Sequence, residues 1–369
     1  MVAGIAVLIL YGSFYPFGFY AHHDPRGALG VLLKSGFRPA SRDDVVANIL
    51  LYFPFGFFAL YALGRRIGPA VAAATAAGFA LSLVVELGQF YDTGRVQELS
   101  DIWSNTLGAF LGAAAAAAAR RRVSSPFLAV LLACWLGDRW YPALPSLPAV
   151  RVGPLLVVSS IPALDLFRFF AAWLAVGLML ESLFQETRLG ATRSRVALPA
   201  LLLVSLLVRT VAVDVEPAEI AGGVLAALAW SGLLWRLPAR SAAAAGLFAT
   251  MVALAALAPF HFSAAPRAFG WVPFRSFLEA GSSVAIRSFF DKAFLYGGML
   301  WLLARCGFSA GWAAALGAAL VFCLRLIQVY LPGRSAEITD TILLLLLAAA
   351  MKAVSLAKPW HQRNLARDA

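Results

Sequence analysis

Four polar residues recur at one fixed spacing in a chain that is otherwise almost wholly apolar. Gln89 is followed by Arg95, Glu98 and Asp101, and Gln328 is followed by Arg334, Glu337 and Asp340. The steps are six, three and three residues both times, and the two sets lie 239 positions apart (328 − 89). A charge at the centre of a membrane helix costs about 2.5–3.5 kcal/mol on insertion scales. A polar pattern held constant against such a background points to duplication rather than chance. It marks both an internal repeat and a candidate site.

The background itself sets the class. The chain is 61% hydrophobic and 13% charged, where soluble domains carry about 25% charged residues. Apolar stretches such as Val196–Val208 and Leu343–Ala350 are only briefly interrupted. About 20 mainly apolar residues cross a bilayer as a helix, whereas a membrane barrel needs period-two alternation, which is not visible. The expected fold class is therefore an all-α integral membrane protein. The net charge of +11 is spread over alternate loops rather than gathered in a nucleic-acid patch. Arg65 and Arg66, Arg120 to Arg122, then Arg188, Arg193 and Arg195 begin the series. Arg236 and Arg240, Arg305, and a tail with Lys358, Arg363 and Arg367 continue it. That bias predicts those loops on the cytoplasmic side of the plasma membrane. Cys134, Cys306 and Cys323 fall in apolar spans without metal-ligand spacing and read as small core residues. Residues 2–15 read as a first helix rather than a signal peptide.

Apolar runs set against polar breaks give twelve expected transmembrane helices in three sets of four. The first set is about 1–17, 44–64, 68–91 and 99–119; the second about 124–142, 164–184, 196–213 and 218–236. The third is about 241–259, 286–305, 309–330 and 337–357. The corresponding modules are 1–119, 120–240 and 241–357, with a basic cytoplasmic tail at 358–369. An even count places both termini in the cytoplasm and the Arg–Glu–Asp loops outside. Each set's first helix ends at a proline (Pro16, Pro142, Pro259), which cannot donate a backbone hydrogen bond. Each second helix holds one polar residue near its outer end: Asn48, Arg168, Lys292. In the middle set Glu219 stands at the Glu98/Glu337 position, with Arg209 upstream, but Gly222 replaces the aspartate. The middle repeat is eroded.

The stretch from Asp44 through Asn48 and Pro54 to Gly56 resembles the opening motif of VanZ-like membrane proteins. Ser82 to Gln89, then Arg95, Glu98, Asp101, Asn105 and Gly108, resembles the second half of that motif. The likeness is good over 44–119 and recognisable over 286–352; residues 120–240 join it only through the internal repeat. It implies an integral membrane protein of a kind linked to glycopeptide (teicoplanin) resistance and to envelope roles. Three modules in place of one depart from the simplest members.

Two readings of the polar residues compete. Glu98 and Asp101 share a face at a helix start, where acids complement the macrodipole by about 0.3–1 kcal/mol each; Arg95 would then merely neutralise them. Alternatively, the three form an outward-facing pocket in which Arg95 holds an anionic group. Glu86 lies on one face with Ser82 and Gln89, and its counterpart in the third set is Arg325. Opposite charges at matched positions predict that the two modules meet there, unless each finds a local partner. Pro54 and Gly56 predict a bend in the second helix, and Ala113–Ala119 a small-residue packing face. His22, His23 and Asp24 read as an exposed loop and His261 as interfacial. No cofactor, metal set, Ser–His–Asp arrangement or phosphate-cradling glycine loop is expected. The candidate ligand-binding residues are Asn48, Glu86, Gln89, Arg95, Glu98 and Asp101, and Lys292, Arg325, Gln328, Arg334, Glu337 and Asp340. Membrane lipids are the expected surroundings, and an envelope lipid, glycan or glycopeptide the expected ligand. A secondary transporter, or an intramembrane enzyme using Glu98 or Asp101 as acid/base, is the alternative.

Overall fold

The computed structural model describes residues 1–36, 41–63, 66–122, 125–141, 161–185, 190–212, 216–234 and 237–365. The chain divides into two compact units. The first is Met1–Pro126 with Ser276–Ile286 and the chain from Ala353; the second is Phe127–Arg275 with Arg287–Lys352. The first unit thus takes in the whole of the expected first module, and the second takes in most of the other two.

In the first unit the helices are α1 (Val2–Phe14), α2 (Gly27–Ser35), α3 (Arg42–Leu63), α4 (Ile67–Gln89) and α5 (Leu99–Arg122). Ser41 starts α3: its hydroxyl accepts the Asp44 amide at 3.1 Å, the usual way a Ser satisfies an open first-turn donor. α3 continues through Pro54. It packs backbone to backbone on α5, which only glycine permits. A Cβ on Gly56 would lie 1.9 Å from Ala109 O, and one on Gly112 would lie 2.0 Å from Phe53 O. The alanine run of α5 supports this approach, with Ala113 and Ala116 buried against Leu60, Ala70 and Ala74.

The second unit contains α6 (Pro126–Trp140), α7 (Ala163–Gln185), α8 (Gly190–Ala212), α9 (Pro217–Gly232) and α10 (Arg240–Leu257). It also holds parts of α11 (Arg275–Glu279), α12 (Ser282–Arg305) and α14 (Thr339–Leu365), and all of α13 (Ala310–Ile327). α9 opens with Pro217 as its first residue, where the missing N–H costs nothing. Ser309 caps α13 by accepting the Trp312 amide at 3.3 Å. α7 is apolar all round from Ala171 to Val176 and buried throughout that stretch, as a central helix must be. Trp135 and Trp173 meet edge to face at 4.5 Å within this core.

Helices occupy all twelve expected segments, and α2 and α11 are two short additions in the loops that follow α1 and α10. Among the described residues, six are long and apolar enough to cross a bilayer: α3, α4, α5, α7, α10 and α13 with its short extension. Five of the others differ for identifiable reasons. α1, α6 and α9 have 13, 15 and 16 residues, short of a full span. The apolar part of α8 is only Val196–Val208, and α12 carries Arg287, Asp291 and Lys292 in its first half. Apolar side chains that face outward, such as Val84, Leu203, Leu207 and Leu228, are those a lipid phase would cover. Of the three cysteines, only Cys134 is buried; Cys323 is exposed on α13, which corrects its reading as a core residue. Pro142, Arg65, Arg188, Arg236 and Arg367 lie outside the described residues, as do the side chains of Arg121, Arg122, Arg193, Arg195, Arg209, Lys358 and Arg363.

Candidate functional site

The two repeated constellations make the same contacts, each within its own unit. Gln89 Nε2 donates to Ser13 O at 3.3 Å, and Gln328 Nε2 donates to Ala256 O at 2.7 Å. Both carbonyls stand three residues before a proline. Arg95 Nη2 donates to Tyr15 O at 3.2 Å, and Arg334 Nε to Ala258 O at 2.8 Å, in each case the carbonyl just before that proline. The amide four residues past the proline donates to the carbonyl two past the glutamine: Tyr20 to Tyr91 at 2.9 Å, Ser263 to Tyr330 at 2.7 Å. The glutamine and arginine therefore close the open carbonyls at the end of α1 and of α10. Through these bonds Arg95 clamps a helix end.

Below these clamps the two units diverge. In the first, Asn48 Nδ2 donates to Ser104 Oγ at 3.2 Å and hydrogen-bonds Asp101. Glu86 is almost fully buried, and its Oε2 accepts the Glu98 amide at 2.9 Å. Gln97 Nε2 donates to the Glu86 carbonyl at 2.5 Å, and Asn105 Nδ2 to Ser82 Oγ at 3.0 Å. Glu98 accepts the Ser100 hydroxyl at 3.1 Å. Three carboxylates thus gather near the first turn of α5, where the macrodipole favours them. Tyr52 is buried beside Ser82, Glu86 and Asp101.

In the second unit, cations stand where the first has Asn48 and Glu86. Lys292 Nζ lies 2.8 Å from Asp340 Oδ1, and Arg325 pairs with the other oxygen of the same carboxylate. Arg325 also donates to Tyr296 Oη at 2.9 Å and to Gln328 Oε1 at 2.5 Å, while Tyr296 donates to Asp340 at 2.8 Å. Glu86 and Arg325 therefore each find partners inside their own unit, a backbone amide in one case and a carboxylate, a phenol and an amide in the other. Glu337 is buried, and a Cβ on Gly270 would lie 3.0 Å from its own.

A partly enclosed cavity of about 370 Å³ opens beside this network. Lys292, Tyr296, Arg325, Gln328 and Arg334 line it, joined by Asp165, Arg168 and Asp291, and by an apolar side of Val252, Leu295 and Leu324. Arg168 and Asp291 form a looser pair at 3.5 Å. The site thus brings together four of the residues expected from sequence, while Asn48, Glu86, Gln89, Arg95, Glu98 and Asp101 belong to the first unit's cluster. Tyr52 and Tyr296 were missed. Each stands four residues after the marked polar position, Asn48 or Lys292, and that shared spacing was a usable signal. Asp291 carried no repeat signal at all.

The residues of the loop between α1 and α2 behave differently. His22 stacks on Phe90 at 4.3 Å. Arg26 Nη2 lies 2.7 Å from Asp24 and holds that exposed carboxyl below the usual range through hydrogen bonds. In the middle set Glu219 is fully buried and paired with Arg139 at 3.0 Å, a contact between α9 and α6.

A bundle of apolar helices that carries buried polar clusters near its helix ends defines a polytopic helical membrane protein. Residues 2–120 match the VanZ/LLP1 family model, so this part of the chain is similar to that family. No curated protein and no solved structure matches the chain significantly.

Proposed function

We propose that the chain is a plasma-membrane protein in which VanZ-like four-helix modules at 1–119 and 241–357 flank an eroded one at 120–240. In this reading the protein binds a cell-envelope lipid, glycan or glycopeptide in an outward-facing polar pocket. Both termini lie in the cytoplasm, and the family link to glycopeptide resistance falls in this envelope role. The matched Gln, Arg and amide contacts at the ends of α1 and α10 support the duplication. The observation that carries the binding reading is the cavity beside Lys292 and Arg325, roomy and lined on one side by charge and on the other by apolar residues. Pockets of about 300–1,000 Å³ with a few convergent polar groups are the usual shape of ligand sites. Native mass spectrometry of the purified protein, after incubation with an envelope lipid extract or with teicoplanin, tests it. Wild type should retain a ligand that Leu295→Trp, which fills the cavity, loses. Equal retention by both proteins would remove the cavity from the argument.

A further inference from the structure

The chemistry of the second unit's cavity specifies what it takes, provided the cavity is the ligand site argued above. Four cationic side chains reach its wall: Arg168 from α7, Lys292 from α12, Arg325 from α13 and Arg334 from the loop before α14. Three acids oppose them, Asp165 and Asp291 on the wall and Asp340 behind Lys292 and Arg325. Buried Glu337 is a fourth acid that acts on Arg325, so the charges balance (4 − 4), but the pairing is uneven. Arg168 holds Asp291 only at 3.5 Å, with 45% of its side chain exposed. Arg325 Nε is buried and has no hydrogen-bond partner. Among the described residues, the Arg334 side chain bonds only through Nε, to Ala258 O, which leaves both terminal nitrogens for something else. A buried donor without an acceptor is costly, and Arg325 Nε, with the loosely held Arg168 and the free end of Arg334 beside it, is best completed by negatively charged oxygens.

We propose that this cavity binds a phosphate monoester group, with Arg168, Arg325 and Arg334 as its principal donors and the Val252, Leu295 and Leu324 side receiving the start of an organic chain. A tetrahedral group with three terminal oxygens can meet donors that arrive from separate helices. A planar carboxylate suits a single guanidinium fork. The first unit does not share this preference, because Asn48 and Glu86 occupy the positions of Lys292 and Arg325 and its cluster is acidic. The ligand class is thus a property of the second unit rather than of the repeated pattern.

The test uses the full chain in phosphatidylcholine nanodiscs, titrated calorimetrically with decyl phosphate, inorganic phosphate and decyl glucoside. Decyl phosphate should bind and decyl glucoside should not. Arg168→Gln, at a half-exposed position that leaves the fold intact, should weaken decyl phosphate by about ten-fold, the scale of one lost charge-assisted contact. Tighter binding of decyl phosphate than of inorganic phosphate would identify a lipid-linked source; equal binding would identify a soluble phosphate compound, and both support the assignment. Decyl glucoside bound as tightly as decyl phosphate, or an Arg168→Gln protein with unchanged affinity, would overturn the phosphate assignment while leaving the cavity a ligand site. Binding of none of the three, with an envelope ligand still retained in mass spectrometry, would also overturn it. If that retention fails as well, the binding reading goes with it.

Discussion

Lys292 Nζ sits 2.8 Å from Asp340 Oδ1, and that carboxylate is 1% exposed. Asp340 also takes the charge of Arg325 and the hydroxyl of Tyr296, so one side chain at the start of α14 ties together α12 and α13. Two of the cavity's four cations, Lys292 and Arg325, are held by it.

Replacing Asp340 by Asn should accordingly be among the most damaging single changes in the second unit. It strands two cations, and losing one partner of a buried pair costs about 3–5 kcal/mol. The cations are 16% and 13% exposed, which favours the lower end, about 3 kcal/mol. Thermal unfolding in detergent should show the loss. Asp24→Asn, at an exposed loop pair, should leave the transition where it is.

The glutamine anchors offer a graded comparison. Gln328 is fully buried, with a 2.7 Å bond to Ala256 O and a second bond from Arg325. Gln89 is 9% exposed and its bond to Ser13 O is 3.3 Å. Truncation to Ala should cost about 2 kcal/mol at Gln328 and about 1 kcal/mol at Gln89, given the usual penalty of about 1–3 kcal/mol for a stranded buried partner. Chemical denaturation of the two variants should rank them in that order.

Much of this arrangement was legible in the chain. The helical segments were, because apolar runs end at Arg, Pro or Gly and those punctuators are visible. The fixed Gln–Arg–Glu–Asp spacing was, and two of its third-set residues, Gln328 and Arg334, line one cavity with Lys292 and Arg325. The partners of Arg95 and Arg334 were not, since both bind carbonyls and every residue carries one. Arg168 was visible as a repeat position, but nothing in the sequence says that a residue of the middle set would reach Lys292 and Arg325. α2 and α11 were illegible because nine and five residues are too few for a periodic signal.

The close approach of α3 and α5 predicts a sharp contrast among glycines. Gly56→Ala would push a methyl to 1.9 Å from Ala109 O, whereas Gly4 and Gly246 have open space. Overpacking typically costs about 1–3 kcal/mol, and a backbone obstacle cannot swing aside, so Gly56→Ala should lie at or beyond the top of that range. Gly246→Ala should be neutral or slightly stabilising. Folded yield and melting temperature report both.

Sidedness can be read by cysteine labelling in a background without Cys134, Cys306 and Cys323. Gln97 is buried and would be a poor reporter, but Val96 is 67% exposed next to it, and Ser335 and Arg66 are exposed too. By the charge bias of the loops, Val96→Cys and Ser335→Cys should react with an impermeant reagent in intact cells, and Arg66→Cys only after lysis. The reverse pattern would invert the topology and place the cavity's loop residues on the cytoplasmic side.

The three glutamates at matched positions separate stability from function. Erosion of the middle set, where Gly222 replaces the aspartate, would make Glu219 look dispensable. The structure gives it a different job: it is fully buried and holds Arg139 at 3.0 Å, and that guanidinium is only 7% exposed and packs over the Trp135 ring at 4.2 Å. Glu219→Ala removes the close carboxylate and leaves buried Arg139 with Asp138 at 3.8 Å, which favours the lower end of the cost of breaking a buried pair, about 3 kcal/mol, still a large share of typical protein stability. Glu98 is half-buried and accepts the Ser100 hydroxyl at 3.1 Å, so Glu98→Ala should cost about 1 kcal/mol. Glu219→Ala should therefore lower the melting temperature more than Glu98→Ala does. Double replacement of Arg139 and Glu219 by Met and Leu should recover most of that loss, because apolar residues of similar volume often match a buried ion pair. A Glu219→Ala protein that melts with wild type would mean that water reaches Arg139 and that the α6–α9 pair is not the internal fastening described here.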